Sequence, residues 1–389
     1  MSNRSFAGSS PLQSIVCHFI TAVFAVFAVF TFCYVYFLQC DVLALTQHEL
    51  SGGKTQYARL MGALIITFIA LLIQRGISMA FRSTPTRCYA LTLVPSAIFI
   101  YILTGLIPAF SVGGLLCAIA VFAAWLLCII SMTKRNREDE ANIAELLPNL
   151  AITLLITLAV PFAGAGNRIS LYELRAERLL NEGKPDEALA LGKDNYDTSP
   201  RLTMLRAWAL ASTGAMTDKL FSYAIPASQR TLLPEMSDST KMIFNPIRIY
   251  RKLGAMPYAG QTAEEYLKVI AAQPVMLQSH PQIREYLLST LLVNRQLKAF
   301  AEQAKLILGD SMRHEILGRH SREAIILYQH LTSAPVITLR DQALTQDFDD
   351  FMALSNRGAK DAFYRNNARL QYGDTYWYYW YYGKTQGDK

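Results

Sequence analysis

Few side chains in this sequence are spaced for chemistry, and one set lies near its start. Asp41, His48 and Glu49 fall in the polar stretch Gln39–Ala58, between two long apolar runs. A carboxylate near an imidazole at a membrane surface can hold a divalent metal or act as a base. Membrane glycosyltransferases that use lipid-linked sugars often keep an acid in their first outer loop, a likeness of architecture alone. The same residues also suit a solvated loop in which Ser51-Gly52-Gly53 makes the turn. That reading outweighs a single acid-and-histidine cluster. No catalytic residue is therefore assigned, and Asp41, His48 and Glu49 stand as the alternative.

A second set lies at the far end. Tyr372–Tyr382 holds eight aromatics in eleven residues, with Tyr376, Trp377, Tyr378, Tyr379, Trp380, Tyr381 and Tyr382 in an unbroken run. Such rings can form a belt at lipid headgroups. They can also stack on a sugar or peptide, which makes the seven the candidate binding residues. Packed down, they would cap the preceding helices, as terminal repeats require.

Other motifs fail at defined positions. Gly53-Lys54-Thr55 and Gly383-Lys384-Thr385 resemble the end of a phosphate loop, but His48 and Tyr378 stand where its first glycine belongs. His314-Glu315 has Gly318 in place of the second histidine of a zinc-protease helix. His280, His314, His320 and His330 are scattered. No cofactor and no metal site is expected.

These residues need elements to hold them, and the composition shows which. Apolar types make up 52% of the 389 residues and charged types 17%; mean hydropathy is +0.20. A soluble domain carries about 25% charge. The balance changes near Ala165. Up to that residue there are nine Lys+Arg and six Asp+Glu; beyond it there are 28 and 24. The net charge of +7 is thus shared, with no basic block of the kind that binds nucleic acid. Cys17, Cys33, Cys40, Cys88, Cys117 and Cys128 all precede the change, and most sit in apolar runs, where a thiol behaves as a small hydrophobe.

The expected fold is all-α, in three parts. Residues 1–165 form a bundle of five transmembrane helices, at about 15–38, 57–74, 89–108, 112–132 and 146–163. Pro95, Pro108, Pro148 and Pro161 fall in or at the ends of these runs, as kinks. No Asp, Glu, Lys or Arg lies well inside any of them, which argues against an ion-coupled transporter. Basic residues favour one side: Arg4, then Arg75, Arg82 and Arg87, then Lys134, Arg135 and Arg137. Cytoplasmic loops hold such excesses. The N-terminus is therefore placed in the cytoplasm, and after five spans the C-terminal domain lies in the periplasm of a bacterial inner-membrane protein.

Residues 166–371 are expected to form a soluble helical-repeat domain, and 372–389 an aromatic tail. Tyr172, Ala176, Gly183, Ala188 and Pro200 are spaced as in a tetratricopeptide (TPR) repeat. A second unit starts at Arg201 and turns at Gly214. Further helices are expected at Ala263–Ala272, Pro281–Val293, Leu297–Leu308, His314–Thr332 and Thr338–Leu354, with Pro226–Pro246 irregular.

At Leu205–Pro234 (Leu-Arg-Ala-Trp-Ala-Leu-Ala-Ser-Thr-Gly, ending Leu-Leu-Pro) and at Asp374–Tyr382, the chain resembles a family of uncharacterised multi-span membrane proteins of Bacteroidota. Its members have a C-terminal tetratricopeptide-like domain. The resemblance covers mainly the C-terminal half. It implies an inner-membrane location and brings no catalytic residue. The function expected is a membrane-anchored scaffold: the bilayer holds one half, and the TPR-like half binds an unknown protein partner, in envelope assembly or secretion. The alternative is the membrane enzyme of the first outer loop.

Overall fold

The computed structural model describes residues 11–80, 89–106, 112–135, 146–163, 168–236, 242–308, 317–358 and 361–383, apart from positions 194, 196 and 244. Among these the regular structure is entirely helical. The chain divides into two compact units, Met1–Leu171 and Tyr172–Lys389.

The first unit contains α1 (Pro11–Cys33), α2 (Cys40–Leu50), α3 (Arg59–Ala80), α4 (Val94–Tyr101), α5 (Val112–Arg135) and α6 (Leu146–Ala163). Among the described residues, three stretches are long and apolar enough to cross a membrane: His18–Leu38, Arg59–Ala80 and Val112–Ser131. Two shorter apolar stretches, Ala90–Gly105 and Leu146–Pro161, accompany them. Three of the five expected spans are thus present as helices long enough to cross, and the other two runs form shorter apolar helices. In the third run the helix changes its winding. A 3-10 turn at Ala90–Leu93 leads into α4, and a wider π turn at Ile102–Leu106 follows it. Pro95 sits in the first turn of α4, where its missing N–H costs nothing. Pro161 lies inside α6, near its end.

Apolar side chains point both ways from these helices. Val23, Phe27, Ala63, Ile66, Ala70, Leu93, Ile100 and Val160 form a buried cluster. Val26, Val29, Leu64, Phe68, Leu72, Leu127 and Leu155 are exposed. An outer apolar surface of this kind suits lipid. With little hydrophobic drive between helices in lipid, polar side chains and small residues hold them together. Ser96 donates to the Ala70 carbonyl at 2.7 Å. Gln74 donates to Thr92 at 3.0 Å, and Asn149 accepts from the Ala90 N–H at 3.0 Å. That last bond satisfies a donor of the first helical turn.

Two local expectations change here. The first polar stretch begins as a helix, α2, and only Ser51–Gly53 forms a turn, with Gly52 and Gly53 at positive φ. Arg75 belongs to α3, which continues six residues past Gln74. Arg4, Arg82, Arg87, Arg137 and Pro108 lie outside the described residues.

The second unit continues with α7 (Arg168–Asn181, which crosses the division), α8 (Pro185–Ala190), α9 (Pro200–Thr213), α10 (Met216–Lys219), α11 (Ile247–Leu253), α12 (Ala263–Ala271), α13 (Pro274–Ser279), α14 (Pro281–Val293), α15 (Leu297–Leu308), α16 (Arg319–Leu331), α17 (Gln342–Gly358), α18 (Ala362–Tyr372) and α19 (Tyr376–Tyr382). Gly183 and Gly214, at φ +75° and +69°, make the turns after α7 and α9. Only glycine takes that conformation without strain. The helices that follow those turns are short, six and four residues. Long helices thus alternate with stubs in the first two hairpins, whereas α14 and α15 are nearly equal in length. The sides of α9 and α16 are buried almost all round, and these two helices carry the core.

Candidate functional site

The residues of the C-terminal aromatic run form α19, an element the sequence reading left as a tail. Thr375 begins it by accepting a hydrogen bond from the Tyr378 N–H at 3.1 Å. Tyr376 and Trp377, 0% and 1% exposed, are buried. A ring with no free face has nothing to stack a ligand on, so these two hold the helix down. Trp377 lies against Phe348 at 5.1 Å and Phe351 at 6.2 Å between centroids. Tyr376 meets Phe221 at 5.1 Å. The aromatic run therefore ties α16 and α17 to a turn that lies far earlier in the chain. Tyr378, Tyr379, Trp380 and Tyr382 are half-buried and Tyr381 is exposed.

Beneath α19 lies a buried charge. Glu323 of α16 is 1% exposed. Its Oε1 accepts from Arg319 Nε at 2.8 Å. Its Oε2 accepts from the Tyr376 N–H at 2.7 Å, and His320 Nδ1 lies 3.0 Å from the same oxygen. The Glu323 carbonyl accepts from the Trp377 indole N–H at 2.7 Å. Arg319 reaches on to Asp374, whose carboxylate lies 2.7 Å away. The hydrogen bonds to Asp374, with the Glu323 charge beside them, raise the Arg319 pKa. A buried carboxylate is costly unless paired and hydrogen-bonded, and the start of α19 supplies one of those bonds.

Arg295 holds the other end of α19. Its guanidinium donates to the carbonyls of Tyr379 at 2.9 Å and Gly383 at 2.5 Å, and lies 5.1 Å from the centre of the Tyr379 ring. Burial pushes the Tyr376 and Tyr379 hydroxyls up, with Arg295 opposing the shift in both. These phenols are therefore neutral at ordinary pH. The Tyr379 hydroxyl donates to the Val293 carbonyl at 2.7 Å.

Beside this clamp runs an open groove of about 680 Å³, lined by Arg295, Lys298, Glu302, Tyr328, Leu331 and Trp380 among others. It offers aromatic and apolar walls, two basic side chains and one acid. Such a surface can bind. The lining supplies no thiol or hydroxyl nucleophile with an adjacent base. A smaller cavity of about 280 Å³ lies on the other side of the Glu323 cluster, between Arg319, Asp347, Tyr372 and Trp377.

The first candidate set is strung along a helix. Asp41 stands in the first turn of α2, with the Cys40 thiol donating to it at 3.6 Å, and His48 stands in the last turn. Seven residues of helix separate Asp41 from His48, a rise of about 10 Å. They do not converge on one reacting atom. Glu49 is exposed, and the His48 ring packs against Gly53. Among the described residues, no group of three or more His, Cys, Asp or Glu is gathered in a way that could hold a metal.

Sequence reasoning missed Glu323, Arg319, Asp374 and Arg295. A signal existed for part of this set: Arg319 and Glu323 are four apart, His320 and Glu323 three apart, which puts them on one helical face. Nothing local pointed to Arg295.

Residues 165–279 and 276–383 each match a family of unknown function, DUF6057. Together the two matches cover more than half of the chain. The chain belongs to this family. Both ends of the α19 clamp, Arg295 with Tyr379 and Glu323 with Tyr376, fall within the second DUF6057 match. No curated protein and no solved structure matches the chain.

Proposed function

We propose that this protein is a membrane-anchored scaffold that offers the Trp380 groove to a protein partner. The apolar helices of the first unit hold it in the inner membrane of a bacterium of the Bacteroidota. Its N-terminus lies in the cytoplasm, a reading supported by the one-sided excess of Lys and Arg between the apolar runs. The second unit is a divergent TPR-like domain in the periplasm, serving envelope assembly or secretion.

The observation that carries this reading is the groove. Trp380 presents aromatic surface there, Leu331 adds an apolar wall, and Arg295 and Lys298 set a positive rim. Binding energy at protein interfaces concentrates on aromatic and arginine residues in such settings. The partner is a peptide segment with an apolar anchor and an acidic residue beside it.

A photo-reactive amino acid at Lys298 in intact cells tests this. A discrete adduct is expected, and it should disappear when Trp380→Ala is added without change in the melting temperature. Adducts that ignore Trp380, or none at all, reject the scaffold reading of this groove.

A further inference from the structure

We propose that Arg59, in the first unit, holds the phosphate of a membrane lipid where the first two membrane-length stretches meet. His18–Leu38 ends and Arg59–Ala80 begins at the same end of that unit. The contacts of Arg59 join them. Its Nε donates to the Tyr36 carbonyl at 2.7 Å. Its guanidinium carbon lies 4.2 Å from the centre of the Tyr36 ring and 5.8 Å from that of Phe37. Tyr36 is itself braced, stacked on Phe32 at 5.4 Å and met edge-on by Phe37 at 4.8 Å. The Nε bond and the ring together fix the plane of the guanidinium. What remains is the Nη1–Nη2 fork, the end that grips a phosphate with two parallel bonds. Among the described residues that fork meets no protein acceptor: the bond to Tyr36 is the one Arg59 makes, and no carboxylate pairs with it. A half-buried cation is thus held in one orientation with its binding end open.

The surroundings choose the source of the anion. Phe37 and Leu38, which close the first stretch, are each 62% exposed. Leu60 and Met61, which follow Arg59 in α3, are 54% and 56% exposed. Cations and aromatic rings at the end of an apolar span lie at headgroup depth, with the apolar side chains toward the acyl chains. A free phosphate ion would gain the fork and nothing else. A lipid satisfies both features, its phosphate on the fork and its tails against the exposed apolar side chains. The site belongs to the first unit alone and stands apart from the Trp380 groove.

Native mass spectrometry of the full-length protein in detergent tests this. Phosphatidylglycerol and a diacylglycerol with the same acyl chains are added at equal concentration. The first bound phosphatidylglycerol is expected to be retained at least about tenfold more than the diacylglycerol. Arg59→Gln should erase that preference. Arg59→Lys, which keeps the charge and loses the fork, should leave only part of it. Glycerol phosphate, the headgroup chemistry without tails, should displace the lipid at least about tenfold less well than a second phosphatidylglycerol does. If Arg59→Gln lowers the melting temperature, Phe37→Ser, a change at an exposed ring, must reduce retention instead. Three results overturn the proposal: equal retention of the two lipids, a preference that survives these changes, or glycerol phosphate competing as well as the lipid.

Discussion

Arg295 holds a backbone conformation that its side chain must justify. Its φ is +55°, the one positive value outside glycine among the described residues. A non-glycine residue there stores about 1 kcal/mol or more. The guanidinium bonds to Tyr379 and Gly383 are what this position gains. Arg295→Gly removes both the strain and the bonds, whereas Arg295→Ala removes the bonds and keeps the strain. Alanine is therefore expected to destabilise more than glycine, by about 1 kcal/mol, in urea unfolding. The reverse order would mean that position 295 carries no backbone strain. Glu323 poses the opposite case, a buried charge with several partners. Glu323→Gln leaves Arg319 without half of its pairing, and a loss of about 3 kcal/mol is expected by the same measurement. A loss under about 1 kcal/mol would show that the cluster tolerates neutralisation. The Arg319–Glu323 spacing could be read in the sequence, because four residues make one helical turn. Its burial could not, because what buries it is a segment more than fifty residues away.

Helices were the most legible elements. Pro281–Val293 and Leu297–Leu308 match their expected bounds, since apolar periodicity, an initial proline and a polar turn all agree there. The sequence reading gave the tail no element: Thr375 is a capping residue, and seven consecutive rings form a helix. Propensity does not favour that outcome, and burial of Tyr376 and Trp377 overrides it. Trp377→Ala is expected to lower stability by about 4 kcal/mol, as for other buried large-to-small changes. An unchanged melting temperature would refute the role of α19 as a cap on α16 and α17. A tight approach elsewhere makes a second test. A Cβ on Gly192, at φ +57°, would lie 2.8 Å from the Tyr172 ring. Gly192→Ala is expected to cost about 2 kcal/mol, from strain and contact together. The structure places the Tyr172 ring against this turn.

Across the whole molecule, buried tyrosines set a limit at high pH. Burial pushes Tyr266 up to about 12, and raises Tyr250 and Tyr286 as well. A phenol raised in the folded state favours folding below its unfolded value near 10. It loses that advantage as pH climbs toward the folded value, because the unfolded chain sheds its proton first. The melting temperature of the detergent-solubilised protein should therefore be flat up to about pH 9 and fall steeply above about pH 10. Tyrosinate absorbance should rise together with unfolding; full titration before unfolding would contradict the burial. The sequence alone determined the helical class, the apolar runs and the concentration of charge after Ala165. Those properties are local, since each turn of helix and each stretch of hydropathy is carried by neighbouring residues. Tertiary structure decided the rest. It wound the first polar stretch into α2 and packed the aromatic tail down as a clamp. Each of those outcomes depends on contacts between residues distant in the chain, such as Tyr376 with Glu323, and no short-range pattern encodes which partners will meet.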